Sequence, residues 1–227
     1  NPQTLKHPGT LKRTVFFTDS RAKKNVTVFD TTLRDGEQTP GISFTLEEKL
    51  GIAEQLSSIG VHAIEAGFPA SSDAERDIVK AIRGLDLSTQ VCGLARSLRA
   101  DVDACIDCDV DMVHVFIPTS DVQREYTIRK TREQVLETTG EIVAYARDHV
   151  DQCMFSAMDA TRTDWDYLIE VYHAAVDAGA TVINVPDTVG VITPTAMKHL
   201  ITRIDREVNC PIDVHCHNDF GLAVANT

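Results

Sequence analysis

Residues 29–41 read FDTTLRDGEQTPG, and the nine positions from Asp30 to Gln38 hold three acids, one arginine and a glutamine. Ionisable groups at the end of an apolar strand lose hydration unless they meet a partner, a metal or a charged substrate. Near the other end of the chain, His215 and His217 form H-x-H. On a strand, period-two alternation sends both imidazoles from one face, about 7 Å apart along the chain, so two nitrogens can reach one cation. The competing reading is a pair of partnered or surface histidines. A carboxylate from Asp35 facing that pair gives an Asp/His/His set with open positions, suited to Mg2+, Mn2+, Co2+ or Zn2+. Arg34 beside it is a permanently charged, five-donor group that can meet an oxygen as it becomes negative. Its bland alternative is a structural ion pair with Asp30 or Glu37.

Such a site needs elements that bring residues 35 and 215 together. Short β-rich apolar runs recur from Val26 onward: VTVFDTT, HAIEAGF, VCGLAR, MVHVFIP, CMFSAM, TVINVPDT and IDVHCHN. Amphipathic stretches lie between them. TLEEKLGIAEQLSSIG carries Leu46, Leu50, Ala53 and Leu56 at helical spacing, with Thr45 and Glu48 as a capping box and Gly60 as its stop. TREQVLETTGEIVAYARDH, RTDWDYLIEVYHAAVDAGA and TPTAMKHLITRIDREV repeat the pattern, the last with Thr193 as cap and Pro194 at the first helical position. Strand-helix alternation with continuously apolar strands predicts parallel pairing with helices outside. No G-x-G-x-x-G follows the first strand and no G-x-x-x-x-G-K-[ST] occurs, which disfavours an open nucleotide-binding sheet. The expectation is an α/β fold, a (β/α)8 TIM barrel truncated after about seven strands, one piece of a longer polypeptide.

The 227 residues suffice for one large domain with a substantial core. Residues 1–25 hold six Lys or Arg against the single acid Asp19 and read as an N-terminal extension, with residues 26–227 as a partial barrel catalytic domain. The chain carries a net charge of −12, which argues against nucleic-acid or anionic-membrane partners and for small molecules. No run approaches the roughly 20 apolar residues of a membrane span, and the N-terminus lacks the apolar core of a secretory signal, so a cytoplasmic protein is expected. The six cysteines lie mostly in apolar stretches and read as buried free thiols. Cys105 and Cys108 form one C-x-x-C without a second pair to complete a zinc site, in a segment that reads as helix.

In parallel α/β folds active sites gather at the C-terminal ends of the strands. The first strand ends in Arg34 and Asp35 and the second carries Glu65. The fourth holds His114 with Thr119 and Ser120 beyond it, the fifth Ser156, the sixth Asp187 and Thr188, and the seventh the two histidines. His114 reads equally as a core histidine with a backbone partner or as a substrate contact. Glu65 could brace loops, and Ser156 and Thr188 could satisfy strand-end backbone groups. His62 opens its strand, at the stability face, while His149 and His173 fall on helices.

DTTLRDGEQTPG, IEAGFPASS, HVFIPTSD, FSAMDATRTD, PDTVG and HCHNDFGLAVANT together resemble the metal-dependent acyltransferase and lyase barrels that include 2-isopropylmalate, citramalate and homocitrate synthases and hydroxymethylglutaryl-CoA lyase. IEAGFP is most similar to the isopropylmalate and citramalate synthases. The resemblance implies that Asp35, His215 and His217 hold a divalent metal that chelates a 2-oxoacid, and that acetyl-CoA is the co-substrate. It further implies that Arg34 stabilises the oxyanion, that Gln38 lies next to the metal, and that Glu65, His114, Ser156 and Thr188 line the substrate pocket. The activity implied is condensation of acetyl-CoA with 2-oxoisovalerate in leucine biosynthesis. Citramalate synthesis from pyruvate, a CoA-thioester C–C lyase and an inactive paralogue or fragment are the alternatives. A homodimer of the full-length protein is expected alongside it. One position departs from the family: Met158 stands where its members usually carry glutamate, on the same strand face as Ser156, and a thioether neither takes a proton nor holds a charge.

Overall fold

The computed structural model describes residues 26–227; the N-terminal extension expected at residues 1–25 lies outside the described residues. Seven strands form one sheet in sequence order, β1 (Phe29–Asp30), β2 (Ala63–Gly67), β3 (Gln90–Arg96), β4 (Met112–Pro118), β5 (Gln152–Met158), β6 (Val182–Asp187) and β7 (Ile212–Cys216). Every neighbouring pair is parallel. The helices are α1 (Leu46–Ser58), α2 (Asp73–Arg83), α3 (Arg99–Ile106), α4 (Asp121–Gln123), α5 (Arg132–Arg147), α6 (Trp165–Asp177), α7 (Pro194–Glu207) and α8 (Ala223–Asn226).

All seven expected strands are present, as is the strand-helix alternation. Thr45 accepts from the Glu48 N–H while Glu48 accepts from the Thr45 N–H, so two otherwise orphaned donors start α1 at the expected capping box. Thr193 caps α7, with Pro194 at its first position. Gly60, at φ +85°, takes the left-handed turn that follows α1.

Strand β1 stops earlier than the sequence suggests. The Asp30 carboxylate accepts from the Thr32 N–H at 2.9 Å, and the Thr31 carbonyl then takes the N–H groups of Arg34, Asp35 and Gly36. Arg34 and Asp35 therefore sit in a tight turn beyond the strand rather than at its end, leading into a 3-10 turn at Gly36–Gln38. The sheet curls strongly: β1 and β7 are its two edges, yet Asp35 lies 3.2 Å from His215. The result is a TIM-barrel-like wall of seven strands with its helices outside.

Alternation along each strand separates two packing zones. On β5, Cys153, Phe155 and Ala157 join the large cluster between sheet and helices, as do Val113, Val115 and Ile117 on β4. Inside the curl, Cys92, Met112 and Met154 form a small apolar floor with Phe29 and Val182. All six thiols are free, four of them buried; Cys105 and Cys108 donate to separate carbonyls, those of Leu94 and Arg76. Burial pushes the Cys153 thiol up to about 12, an unreactive thiol. His62 accepts from the Val28 N–H at 3.0 Å and ties the sheet's base, in keeping with its place at the stability face.

Candidate metal and substrate site

The curl brings the turn after β1 against the end of β7. Among the described residues Asp35, His215 and His217 form a group whose ligand atoms all lie within 4.8 Å of one another. Arg34 Nη1 donates to Asp35 Oδ1 at 2.8 Å, leaving Oδ2 to face His215 Nε2 at 3.2 Å and His217 Nε2 at 3.8 Å. The hydrogen bond from His215 lowers the Asp35 carboxyl to about 2, with Arg34 and the charges of both histidines helping against burial. One ionised oxygen flanked by two imidazole nitrogens is a donor set that a borderline or hard divalent cation accepts, and its partial exposure leaves positions open to a ligand.

Arg34 is oriented from behind. Its Nε donates to Glu65 Oε2 at 2.6 Å, so the guanidinium bridges β2 and the metal-site carboxylate; neither Asp30 nor Glu37 is its partner. Its Nη1 also reaches Gln38 Oε1 at 3.4 Å. Its Nη2 makes no hydrogen bond to the described residues and is left for a ligand. Glu65 is fully buried, and burial alone would raise its carboxyl; the charge and hydrogen bond of His114, then those of Arg34, outweigh this and hold it low.

From Glu65 a hydrogen-bonded chain crosses the inside of the curl. Glu65 Oε1 bonds His114 Nδ1 at 2.6 Å, and His114 Nε2 bonds Ser156 Oγ at 2.7 Å. Ser156 Oγ donates to Asn184 Oδ1 at 2.5 Å, and Asn184 Nδ2 donates to Asp213 Oδ2. Since the Ser156 hydroxyl proton goes to Asn184, its Oγ accepts from His114. Burial raises the Asp213 carboxyl against the Asn184 bond. His114 thus has two side-chain partners in place of the backbone partner of a core histidine.

A cavity of about 360 Å³ opens over this chain. Arg34, Asp35, Gln38, His114, Ser156, Asn184, Thr188, His215 and His217 line its polar side, and Phe68, Leu94, Phe116, Met158 and Pro186 its apolar side. Every expected site residue is on this lining except Glu65, which lies beneath it, hydrogen-bonded to Arg34 and His114. Thr188 has two attachments: it lines the cavity and accepts the Asp159 N–H at 2.9 Å. Met158 borders the cavity as its strand parity with Ser156 requires.

Sequence reasoning missed Asn184 and Asp213. Both are polar residues in mid-strand; Asn184 pairs with Ser156 on one side and Asp213 on the other, and Asp213 shares parity with His215. That pattern was the available signal.

A family model described as HMGL-like matches residues 25–227. The probable 2-isopropylmalate synthase of Methanosarcina mazei is 59% identical over 219 residues, 96% of this chain and 42% of its own length. The 2-isopropylmalate synthase of Methanocaldococcus jannaschii is 55% identical over 202 residues, 89% of this chain and 39% of its own. The chain thus spans about two fifths of the length of these curated relatives. The crystal structure of hydroxymethylglutaryl-CoA lyase from Pseudomonas aeruginosa shares the fold with a TM-score of 0.77 at 23% identity, covering 89% of this chain and 71% of that one. With the family's model matching the whole described wall of strands and helices, this chain belongs to the HMGL-like family.

Proposed function

We propose that this chain is the barrel portion of an acyltransferase that condenses acetyl-CoA with a 2-oxoacid, 2-oxoisovalerate in the first instance, to give 2-isopropylmalate. The observation that carries this reading is the shared mouth of β1 and β7, where Asp35 presents one oxygen to two imidazoles and the other to Arg34. A divalent ion held by Asp35, His215 and His217 would supply Lewis acidity to a bound carbonyl.

The remaining work falls to side chains. Arg34, braced by Glu65 and Asp35, offers its Nη2 to the substrate oxygen that gains charge as the acetyl methyl carbon bonds to the oxoacid's C2. The methyl group loses its proton in that step, the former keto oxygen ends the condensation as a hydroxyl that balances it, and water then cleaves the thioester to release CoA and the hydroxy diacid. Ser156 has committed its proton to Asn184, so to a ligand it offers a lone pair. The apolar wall of Phe68, Leu94, Phe116, Met158 and Pro186 suits a branched alkyl chain, and among the described residues Arg34 is the one Lys or Arg on the lining, so these residues offer the second carboxylate of 2-oxoglutarate no cation of its own. The high identity to relatives named 2-isopropylmalate synthase supports the same substrate.

The test is release of free CoA from acetyl-CoA with 2-oxoisovalerate, pyruvate or 2-oxoglutarate, using the protein that carries this chain, with Mg2+, Mn2+, Co2+ or Zn2+. Preference for 2-oxoisovalerate is expected; preference for pyruvate would move the assignment to citramalate synthesis. Met158 favours a second reading, a paralogue without activity. Silence with every oxoacid and metal, reversed by Met158→Glu, would establish that reading.

A further inference from the structure

Among the described residues Lys49 is the largest charged side chain sealed inside the protein, 1% exposed on α1, and none of the chemistry above uses it. Its Nζ lies 2.6 Å from Glu37 Oε2 and 3.2 Å from Glu75 Oε2. Each of those carboxylates spends its other oxygen on a loop backbone: Glu37 Oε1 accepts the Phe44 N–H at 3.0 Å, and Glu75 Oε1 accepts the Phe68 N–H at 3.3 Å. One ammonium therefore fastens two loops at the mouth. The first contains Asp35, Glu37 and Gln38; the second turns Phe68 into the cavity. Room for the second arm depends on Gly67, where a Cβ would fall 2.1 Å from Glu75 Oε1.

We propose that Lys49 is a positioning residue: through Glu37 it fixes the turn that presents Asp35, and through Glu75 it fixes the Phe68 wall. This inference rests on the metal and 2-oxoacid reading above. Removing the ammonium leaves two carboxylates, each mostly shielded from water, facing one another without a cation, so both loops must shift to regain solvent. Residues that orient metal ligands from behind typically contribute 10- to 100-fold to affinity.

The two arms predict separable effects. Calorimetric titration with Mn2+ should show Lys49→Met binding weakened by about 10- to 100-fold. Glu37→Gln, which releases only the metal-bearing turn, should weaken Mn2+ binding while leaving the oxoacid KM, read at saturating Mn2+, nearly unchanged. Glu75→Gln should do the reverse. A purely structural lysine would lower the melting temperature in all three variants and leave this split absent. Wild-type Mn2+ affinity in folded Lys49→Met overturns the inference. If that variant does not fold, unchanged Mn2+ affinity in Glu37→Gln overturns it as well. Wild-type protein that binds no divalent ion would instead refute the metal reading itself.

Discussion

On β5, Cys153, Phe155 and Ala157 turn toward the helices, while Met154, Ser156 and Met158 turn into the curl. The same division runs along β6, where Ile183 and Val185 face out and Val182, Asn184 and Pro186 face in. The outer face is held by apolar area and close packing, which tolerate no charge and need no particular partner. The inner face climbs from the apolar floor through a layer of Glu65, His114, Ser156, Asn184 and Asp213 to the cavity. That layer is stable only while each polar atom keeps its partner. One face thus stores the fold's stability in bulk, and the other places it in a short chain of directional bonds that also orients Arg34.

The sharpest break in this contrast is Glu65→Gln. It removes the charge facing both Arg34 and His114 inside the curl, and breaking a buried pair in this way costs about 3–5 kcal/mol. Activity should fall together with stability, because Arg34 loses its rear anchor. Urea unfolding alongside CoA release checks this; a stability loss under about 1 kcal/mol would show that the inner chain holds little. Phe155→Ala attacks the outer face, where the ring is fully buried and meets Tyr172 edge-on at 6.5 Å. A cost of about 3–5 kcal/mol is expected from the cavity left behind. Mn2+ affinity of the folded fraction should stay at the wild-type value. A large loss of affinity would mean that the two faces are coupled.

Arg34→Lys is milder in stability and specific in function. A lysine reaches either Glu65 or Asp35 but cannot span both with the fixed fork that Arg34 uses. A fall in kcat of about 10²-fold, at nearly constant melting temperature, is the expected outcome. Equal loss of kcat and stability would assign Arg34 to the scaffold instead.

These two faces also explain what was legible beforehand. Outer positions repeat apolar residues with strand or helix period, so all seven strands and the caps at Thr45 and Thr193 were readable. The same holds for the ends of the site, since H-x-H and the crowded turn at Asp35 stand out against apolar neighbours. Helix α2 went unread although Ser72 caps it, Ile78, Val79 and Ile82 fall at helical spacing, and its acidic first turn and basic last turn follow the helix dipole. The alternative of an ion pair between Arg34 and Asp30 or Glu37 rests on proximity in sequence alone. The closure of a tight turn instead aims Arg34 at β2, 31 residues away. Lys49 was invisible for a similar reason: a lysine on an amphipathic helix reads as solvated until the fold shows two loops closing over it.

The smallest expected effect lies where the two chemistries meet, at Met158. Its side chain borders the cavity beside Phe116 and Pro186, on the inner face but without a polar partner to keep. Met158→Ala should therefore cost little in the hydrogen-bonded chain and act mainly through lost volume against the oxoacid's alkyl group. Each methylene-sized change in an apolar pocket shifts discrimination by about 1–3 kcal/mol. The expected result is a rise of about tenfold in kcat/KM for a 2-oxoacid one or two carbons longer, relative to 2-oxoisovalerate, with Mn2+ affinity unchanged. An equal fall for both oxoacids would show that Met158 supports the loop after β5 and does not meet the substrate's alkyl chain. Its carbonyl already accepts from the Thr119 N–H and hydroxyl there, a role that survives truncation of the side chain. Because that backbone anchor is independent of the thioether, the relative preference between oxoacids isolates the side chain's contribution from the strand's.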